Sequence, residues 1–166
     1  MDTDQPSCCY ILITEDGRAS YCGITNNFAR RLVQHRKGCG SGGARYTSAR
    51  RQRQWMPLCV VHGFANRSQC LSFEWRLKRI RSVALSCANR RCEQLVRTLQ
   101  NRKWWVQHPP RPTHIRIEWL HVSAPPLLLV DHAVGNDLFA VTIDSHPSET
   151  CVTTKQDVGC ESHKVQ

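Results

Sequence analysis

Apolar positions in the first eighty residues switch between two spacings, and polar breaks mark where each element ends. Tyr10-Ile11-Leu12-Ile13 is a short apolar run. Glu15-Asp16-Gly17-Arg18 interrupts it, and a second run carries Tyr21 and ends on Gly23. Asp-Gly between two strand-like runs predicts a hairpin, because Gly takes the positive φ that such a turn needs. The period then becomes helical. Phe28 with Leu32, and Ala29 with Val33, are apolar neighbours one turn apart, and Asn26 or Asn27 can cap the helix that they predict. Met56 to Phe64 reads as a largely buried strand, with Pro57 tolerated only near its start or on an edge. Ala65-Asn66-Arg67-Ser68 opens a second helix, capped by Asn66 or Ser68, whose apolar stripe is Cys70, Phe73, Leu77 and Ile80. Ser82 to Arg102 is again helix-like through Leu85, Leu95, Val96 and Leu99. Gln107 to Pro112 breaks it, and His114 to Val122 alternates like a half-buried strand. Trp104-Trp105 reads as a pair of packing anchors. Beyond Ser123 there is an apolar run, Leu127 to Val130, but no periodic element, and the last twenty or so residues are expected to be disordered.

Charge changes this picture at one place. Up to Val122 the chain carries 21 Lys+Arg against 7 Asp+Glu, and from Ser123 on it carries 2 against 6. A basic body with an acidic tail suits a polyanionic partner for the body. Eighteen of the 23 cations are arginine, the better residue for bidentate phosphate contacts. Arg30, Arg36, Lys37, Arg45, Arg50, Arg51 and Arg53 are the candidates for contacts to a nucleic-acid backbone. They flank Gly38 to Gly43, read as a flexible basic loop. A nucleotide-binding loop is set aside, since no strand precedes it and no Gly-Lys-Ser/Thr ends it. The ten cysteines include no Cys-x-x-Cys, which argues against a zinc ribbon or ring finger. No run approaches the roughly 20 apolar residues of a membrane span, and the start lacks a signal peptide's basic and apolar regions. A soluble intracellular protein with reduced thiols and no membrane partner is expected.

The residues able to do chemistry come in the order Tyr10, Tyr21, Arg31, His35, Glu74. Arg31 and His35 are four apart and share a helix face. Glu74 lies at the shoulder of its helix's apolar stripe, directed either to solvent or into a site. In order and spacing these residues resemble the GIY-YIG nuclease domain. Cys8-Cys9-Tyr10 stands at its first motif and Tyr21-Cys22-Gly23 at its second. The chain is similar to the catalytic subunit of the eukaryotic structure-specific endonuclease that cuts branched DNA and Holliday junctions. That similarity extends through Asn27 to Arg31, Gln34-His35, Gly43 to Ser48, Val60 to Phe64 and Phe73-Glu74-Trp75. Two residues depart from the motifs, Cys8 for the first glycine and Cys22 within the second. Cys87, Cys92, Cys151 and Cys160, with the late histidines, give no paired ligand spacing, so that subunit's C-terminal zinc domain is expected to be absent or degraded.

The resemblance implies an α+β fold, a small and mostly antiparallel sheet flanked by helices. Residues 1–82 would be the nuclease domain, 83–122 a helical linker and short strand packed on it, and 123–166 an irregular extension. It implies a Mg²⁺-dependent (or Mn²⁺-dependent) endonuclease acting on branched double-stranded DNA in repair or recombination, in the nucleus, with a scaffold protein as a possible partner. Glu74 would hold one metal ion, Arg31 would grip a non-bridging phosphate oxygen, and Tyr10 or Tyr21, with Tyr21 favoured, would take the proton of the attacking water. His35 would relay that proton or hold the phosphate. Arg31, His35 or the metal would favour the phenolate, since a free phenol titrates near 10. The alternative is a catalytically inactive DNA-binding or recruitment module that keeps the fold.

Overall fold

The computed structural model describes residues 6–50, 54–84, 86–107, 109–110, 112–121 and 138–145. Its first strand, β1 (Cys8–Thr14), is buried along its whole length. It lies between β2 (Ser20–Thr25) and β3 (Trp55–His62), antiparallel to both. Burial on both faces explains why the run is continuously apolar rather than alternating. The side chains still alternate in direction. Cys9, Ile11 and Ile13 enter the large core, whereas Cys8, Tyr10 and Leu12 enter a smaller one with Ala19, Trp55 and Val60.

The predicted hairpin forms, with Gly17 at φ +65° and the Thr14 hydroxyl donating to Asp16 Oδ1, 2.6 Å. Helix α1 (Phe28–Lys37) follows, and Asn27 caps it by accepting from the Arg30 N–H at 2.9 Å, a contact worth about 1 kcal/mol. Phe28 and Leu32 pack on the Tyr10 face of the sheet. The Gly38 to Gly43 segment does not hang free. It makes a 3₁₀ turn and closes on itself, with the N–H groups of Ser41 and Gly43 both donating to the Gly38 carbonyl. A four-residue helix, α2 (Arg45–Ser48), comes next and leads towards β3.

Pro57 sits where the β1–β3 register shifts, and β4 pairs only with residues 59–62, so its missing N–H breaks no ladder bond on that side. On the opposite face lie α3 (Arg67–Arg79), α4 (Cys87–Leu99) and α5 (Arg102–Gln107). Asn66, rather than Ser68, caps α3. The Ser82 to Arg102 stretch is not one helix. It starts at Cys87 under a Ser86 cap and stops at Gln100, and Asn101 Oδ1 then accepts from the Trp104 N–H to start α5. Trp104 and Trp105 are the packing anchors expected, both buried against Phe73.

β4 (His114–Trp119) pairs antiparallel with β3, and β5 (Ala140–Ser145) pairs parallel with β4, giving the order β2-β1-β3-β4-β5. The sheet is therefore mostly antiparallel with helices on both faces. β5 corrects the reading of everything after Ser123 as irregular. Only Val141 and Ile143 of β5 are even half-buried, so the strand carries little apolar signal. The Leu127 to Val130 run, Leu85, and the end expected to be disordered lie outside the described residues. No described helix is long and apolar enough to cross a membrane.

Candidate functional site

The smaller core is where the chemistry gathers. Tyr10 is fully buried, and across the hairpin it pairs with Gly23. A Cβ on Gly23 would stand 2.6 Å from the Tyr10 hydroxyl oxygen and 2.8 Å from Cζ. The Tyr10 phenol therefore passes directly over a bare backbone, and glycine here serves close approach rather than an unusual φ. Two residues back on the same face is Tyr21, half-buried at the rim, its ring 6.1 Å from that of Tyr10. Cys8, at the first motif's glycine position, is an ordinary buried strand residue whose thiol donates to the Thr25 carbonyl.

Helix α1 supplies the partners. Its Arg31 and His35, one turn apart, both reach the Tyr10 oxygen: Arg31 Nε at 3.1 Å and His35 Nε2 at 2.8 Å. His35 is fully buried, and its other nitrogen, Nδ1, is 2.8 Å from the Thr47 hydroxyl of α2. The His35 ring packs on that of Tyr21, 4.9 Å between centroids. Burial, with the Arg31 charge adding to it, pushes the His35 imidazole down to about 4, so it is neutral at physiological pH. Burial pushes the Tyr10 phenol well above its ordinary range, although the Arg31 hydrogen bond pulls the other way. At Tyr10, then, desolvation overrides the phenolate expected from a neighbouring arginine. Burial also opposes the Arg31 charge, but the Tyr10 and Tyr21 phenols more than offset this.

Arg31 Nη1 donates to Gln34 Oε1 at 3.1 Å and to the Gly42 carbonyl at 2.6 Å, fixing the guanidinium at the edge of a polar cleft of about 440 Å³. Arg30 and Arg67 also line this cleft, with Asn26 and Gln34, and among the described residues no carboxylate lines it. Arg67 was not singled out in the sequence. The signal was its place in the first turn of α3, where a cation opposes the helix dipole and no acidic residue appears. Of the other predicted backbone contacts, Arg36 reaches back to the Trp55 carbonyl and Arg50 lies over the Tyr46 ring at 3.9 Å. Lys37 and Arg45 are exposed, while Arg51 and Arg53 lie outside the described residues.

Glu74 stands apart from the Tyr-Arg-His cluster. The α3 positions Arg67 and Lys78 follow β2 from Ile24 back to Tyr21: Arg67 shares the cleft with Ile24, and the Lys78 ammonium lies 5.8 Å over the Tyr21 ring. Glu74 lies between them in sequence, half-buried, and its Oε1 accepts from Lys78 one turn on. The carboxylate thus already holds a cation beside the tyrosine wall. A single carboxylate suits Mg²⁺ or Mn²⁺, which keep most of their waters and take further oxygens from a phosphate. Among the described residues no three His, Cys, Asp or Glu side chains converge, so Glu74 would be joined by water and substrate oxygens.

Residues 6–82, which hold β1 to β3 and α1 to α3, match the GIY-YIG catalytic domain. Among curated proteins the chain is similar to the structure-specific endonuclease subunit SLX1 of Phaeosphaeria nodorum, 34% identical over 122 residues, covering 69% of this chain and 32% of that one. It is 47% identical over 68 residues to the corresponding subunit of Pyrenophora tritici-repentis, covering 41% of this chain and 18% of that one. The homologous subunit of Drosophila melanogaster is 49% identical over 55 residues, covering 33% and 18%. The chain therefore spans less than a third of the length of these relatives.

Proposed function

We propose that the chain is a divalent-metal-dependent endonuclease that hydrolyses phosphodiester bonds in branched DNA. The observation that supports this most directly is the prebuilt Arg31–Tyr10–His35 network at the edge of an arginine-lined cleft, with a second phenol at its rim. In this reading a backbone phosphate enters beside Arg30, Arg31 and Arg67. Arg31, held in place by Tyr10, Gln34 and Gly42, binds a non-bridging oxygen as charge builds on it. Such a donor contributes roughly 3–4 kcal/mol to transition-state stabilisation. Tyr21 takes the proton of the attacking water, because it is the phenol at the surface, whereas Tyr10 is sealed and acts by holding Arg31. Glu74 would hold a Mg²⁺ or Mn²⁺ ion, which would supply positive charge to the phosphate and the leaving oxygen, and Lys78 would add a further positive charge near Tyr21.

The relatives are named as endonuclease subunits, and a scaffold protein as partner, a nuclear location, and a part in repair or recombination are the matching proposals here. Residues 1–82 would form the catalytic unit, with 83–122 buttressing it. The test is to incubate pure protein and Mg²⁺ with end-labelled flaps, forks, four-way junctions and linear duplex, and to map the cuts. Cleavage confined to the branched substrates, and lost in Arg31→Ala, is expected. A wild-type chain that binds these DNAs but cuts none of them with Mg²⁺ or Mn²⁺ would overturn the proposal in favour of a binding module.

A further inference from the structure

We infer that Thr47 is a positioning residue of this site: through His35 and Tyr10 it sets the direction of the hydrogen bonds that aim Arg31. This rests on the nuclease reading only for its consequence in cleavage, not for the geometry. Thr47 is fully buried. Its hydroxyl donates to the Ala44 carbonyl at 3.0 Å, within its own turn. A carbonyl can only accept, so the hydroxyl hydrogen is used there, and Thr47 Oγ1 can only accept from His35 Nδ1 at 2.8 Å. Nδ1 must then carry the ring proton. In a neutral imidazole this leaves Nε2 as an acceptor, and the Tyr10 O–H donates to it at 2.8 Å. The lone pairs of the Tyr10 oxygen are thereby turned towards Arg31 Nε–H, 3.1 Å away. Tyr10, His35 and Thr47 each donate once and accept once, all in one direction from Arg31 to the Ala44 carbonyl. Reversing the His35 tautomer would set its Nε2–H and the Arg31 N–H against the same phenol oxygen and leave the Tyr10 hydrogen without an acceptor in a dry interior.

The glycine segment makes this possible. A Cβ on Gly43 would come within 2.7 Å of the Gln34 and Gly38 carbonyl oxygens, so the backbone leaving the loop runs flush against the end of α1. The Thr47 carbonyl accepts from the Trp55 indole N–H at 3.3 Å, which fixes the turn from the other side. The neighbouring Tyr46 stacks on Tyr21, 6.3 Å between centroids at 28°. One short turn, Ala44 to Ser48, therefore bears on both phenols. The Gly38 to Gly43 segment is the strap that returns it.

Nitrogen-15 NMR of histidine-labelled protein, without DNA, reads the tautomer directly. The wild type and Thr47→Ser should show His35 protonated at Nδ1 only, and Thr47→Val should show a mixture or the Nε2–H form. In cleavage of the branched substrate, Thr47→Val should lower kcat about 10–100-fold, by analogy with the loss of a partner that orients a metal-bound histidine. KM should be little changed, and Thr47→Ser should restore the rate to within a few-fold. The wild-type tautomer needs no variant, so an Nε2–H His35 in the native chain overturns the inference even if Thr47→Val does not fold. So does a Thr47→Val chain with native tautomer and native rate. Should the wild type cut nothing, the nuclease reading falls, while the nitrogen shifts still decide the role of Thr47.

Discussion

Replacing Gly23 with alanine adds one methyl group, and the structure says what that methyl meets. The new Cβ would lie 2.6 Å from the Tyr10 oxygen, 2.8 Å from its Cζ and 3.0 Å from Tyr21 Cε1. Non-bonded carbon contacts are comfortable at about 3.5–4.0 Å, so the Tyr10 ring must retreat by about 0.8 Å or more. It has nowhere free to go, being fully buried and tied to His35 at 2.8 Å and Arg31 at 3.1 Å. A shift of that size carries at least one of these bonds beyond useful length. Overpacking of this kind costs about 1–3 kcal/mol, and a buried hydroxyl left without partners costs a further 1–3 kcal/mol. Stability should fall by about 2–6 kcal/mol, read from the urea midpoint. Single-turnover cleavage under conditions where the variant is folded should fall about 100-fold, because a misplacement near 1 Å at the phosphate grip is enough for that. Tyr10→Phe separates the two effects. It removes the hydroxyl but not the ring, so on that background Gly23→Ala should still destabilise but should lower the rate far less. A Gly23→Ala chain with native stability and native rate would refute the close approach and the role given to Tyr10.

Four other outcomes follow from the same geometry. His35 is held well below its ordinary value, at about 4 against 6.5, so between those values the unfolded chain binds the extra proton. Its contribution is complete above about pH 6.5 and is lost as the pH falls towards 4, by up to about 3 kcal/mol. Urea midpoints across that range should decline in the wild type and lose this component in His35→Gln, and equal slopes would count against the buried neutral imidazole. Glu74→Gln should abolish cleavage in Mg²⁺ and Mn²⁺ while costing only about 0.3–0.5 kcal/mol of stability, the usual contribution of an i,i+4 helix pair such as that with Lys78; undiminished cutting would sink the metal assignment. Arg31→Ala should lower the single-turnover rate by roughly 100- to 1,000-fold with DNA binding largely retained, and an equal loss of affinity would make it a docking residue instead. Arg67→Ala should weaken binding to every DNA and reduce the slope of log K against log salt by about one, whereas an unchanged slope would remove Arg67 from the phosphate path.

The parts of the site legible in the sequence are those set by local spacing. Arg31 and His35 share a face because they are four apart on a helix that Asn27 caps, and both features are visible in ten letters. The hairpin follows from Asp16-Gly17. Thr47 and Tyr46 stand in a stretch that the resemblance covers, yet nothing local marks them as site residues, and the dipole signal at Arg67 is slight, for a common reason. Each matters through a contact that depends on where a loop or a helix returns, not on its own neighbours. β5 escaped because a parallel pairing with β4, twenty-six residues back from Ala140 to His114, leaves no local turn signal, and its face is only half-buried.

β1 shows the deeper limit. As text, Cys8 to Thr14 is one apolar run and gives no sign that it faces two different tasks. The strand period divides it. Cys9, Ile11 and Ile13 meet Cys70, Phe73, Leu77 and the α4 and α5 side chains, and that half holds the sheet to its helices. Cys8, Tyr10 and Leu12 face α1, and in that half a polar atom, the Tyr10 hydroxyl, is sealed among apolar groups. A buried hydroxyl is tolerated only when its hydrogen bonds are complete, and Tyr10 completes them with the two α1 residues that the site needs. The same requirement that stabilises the smaller core therefore orients Arg31. It follows that substitutions on the odd face of β1 should move stability with little change in the rate of the folded enzyme. Substitutions on the even face should move both, and the coupling between Gly23→Ala and Tyr10→Phe measures how tightly the two are joined.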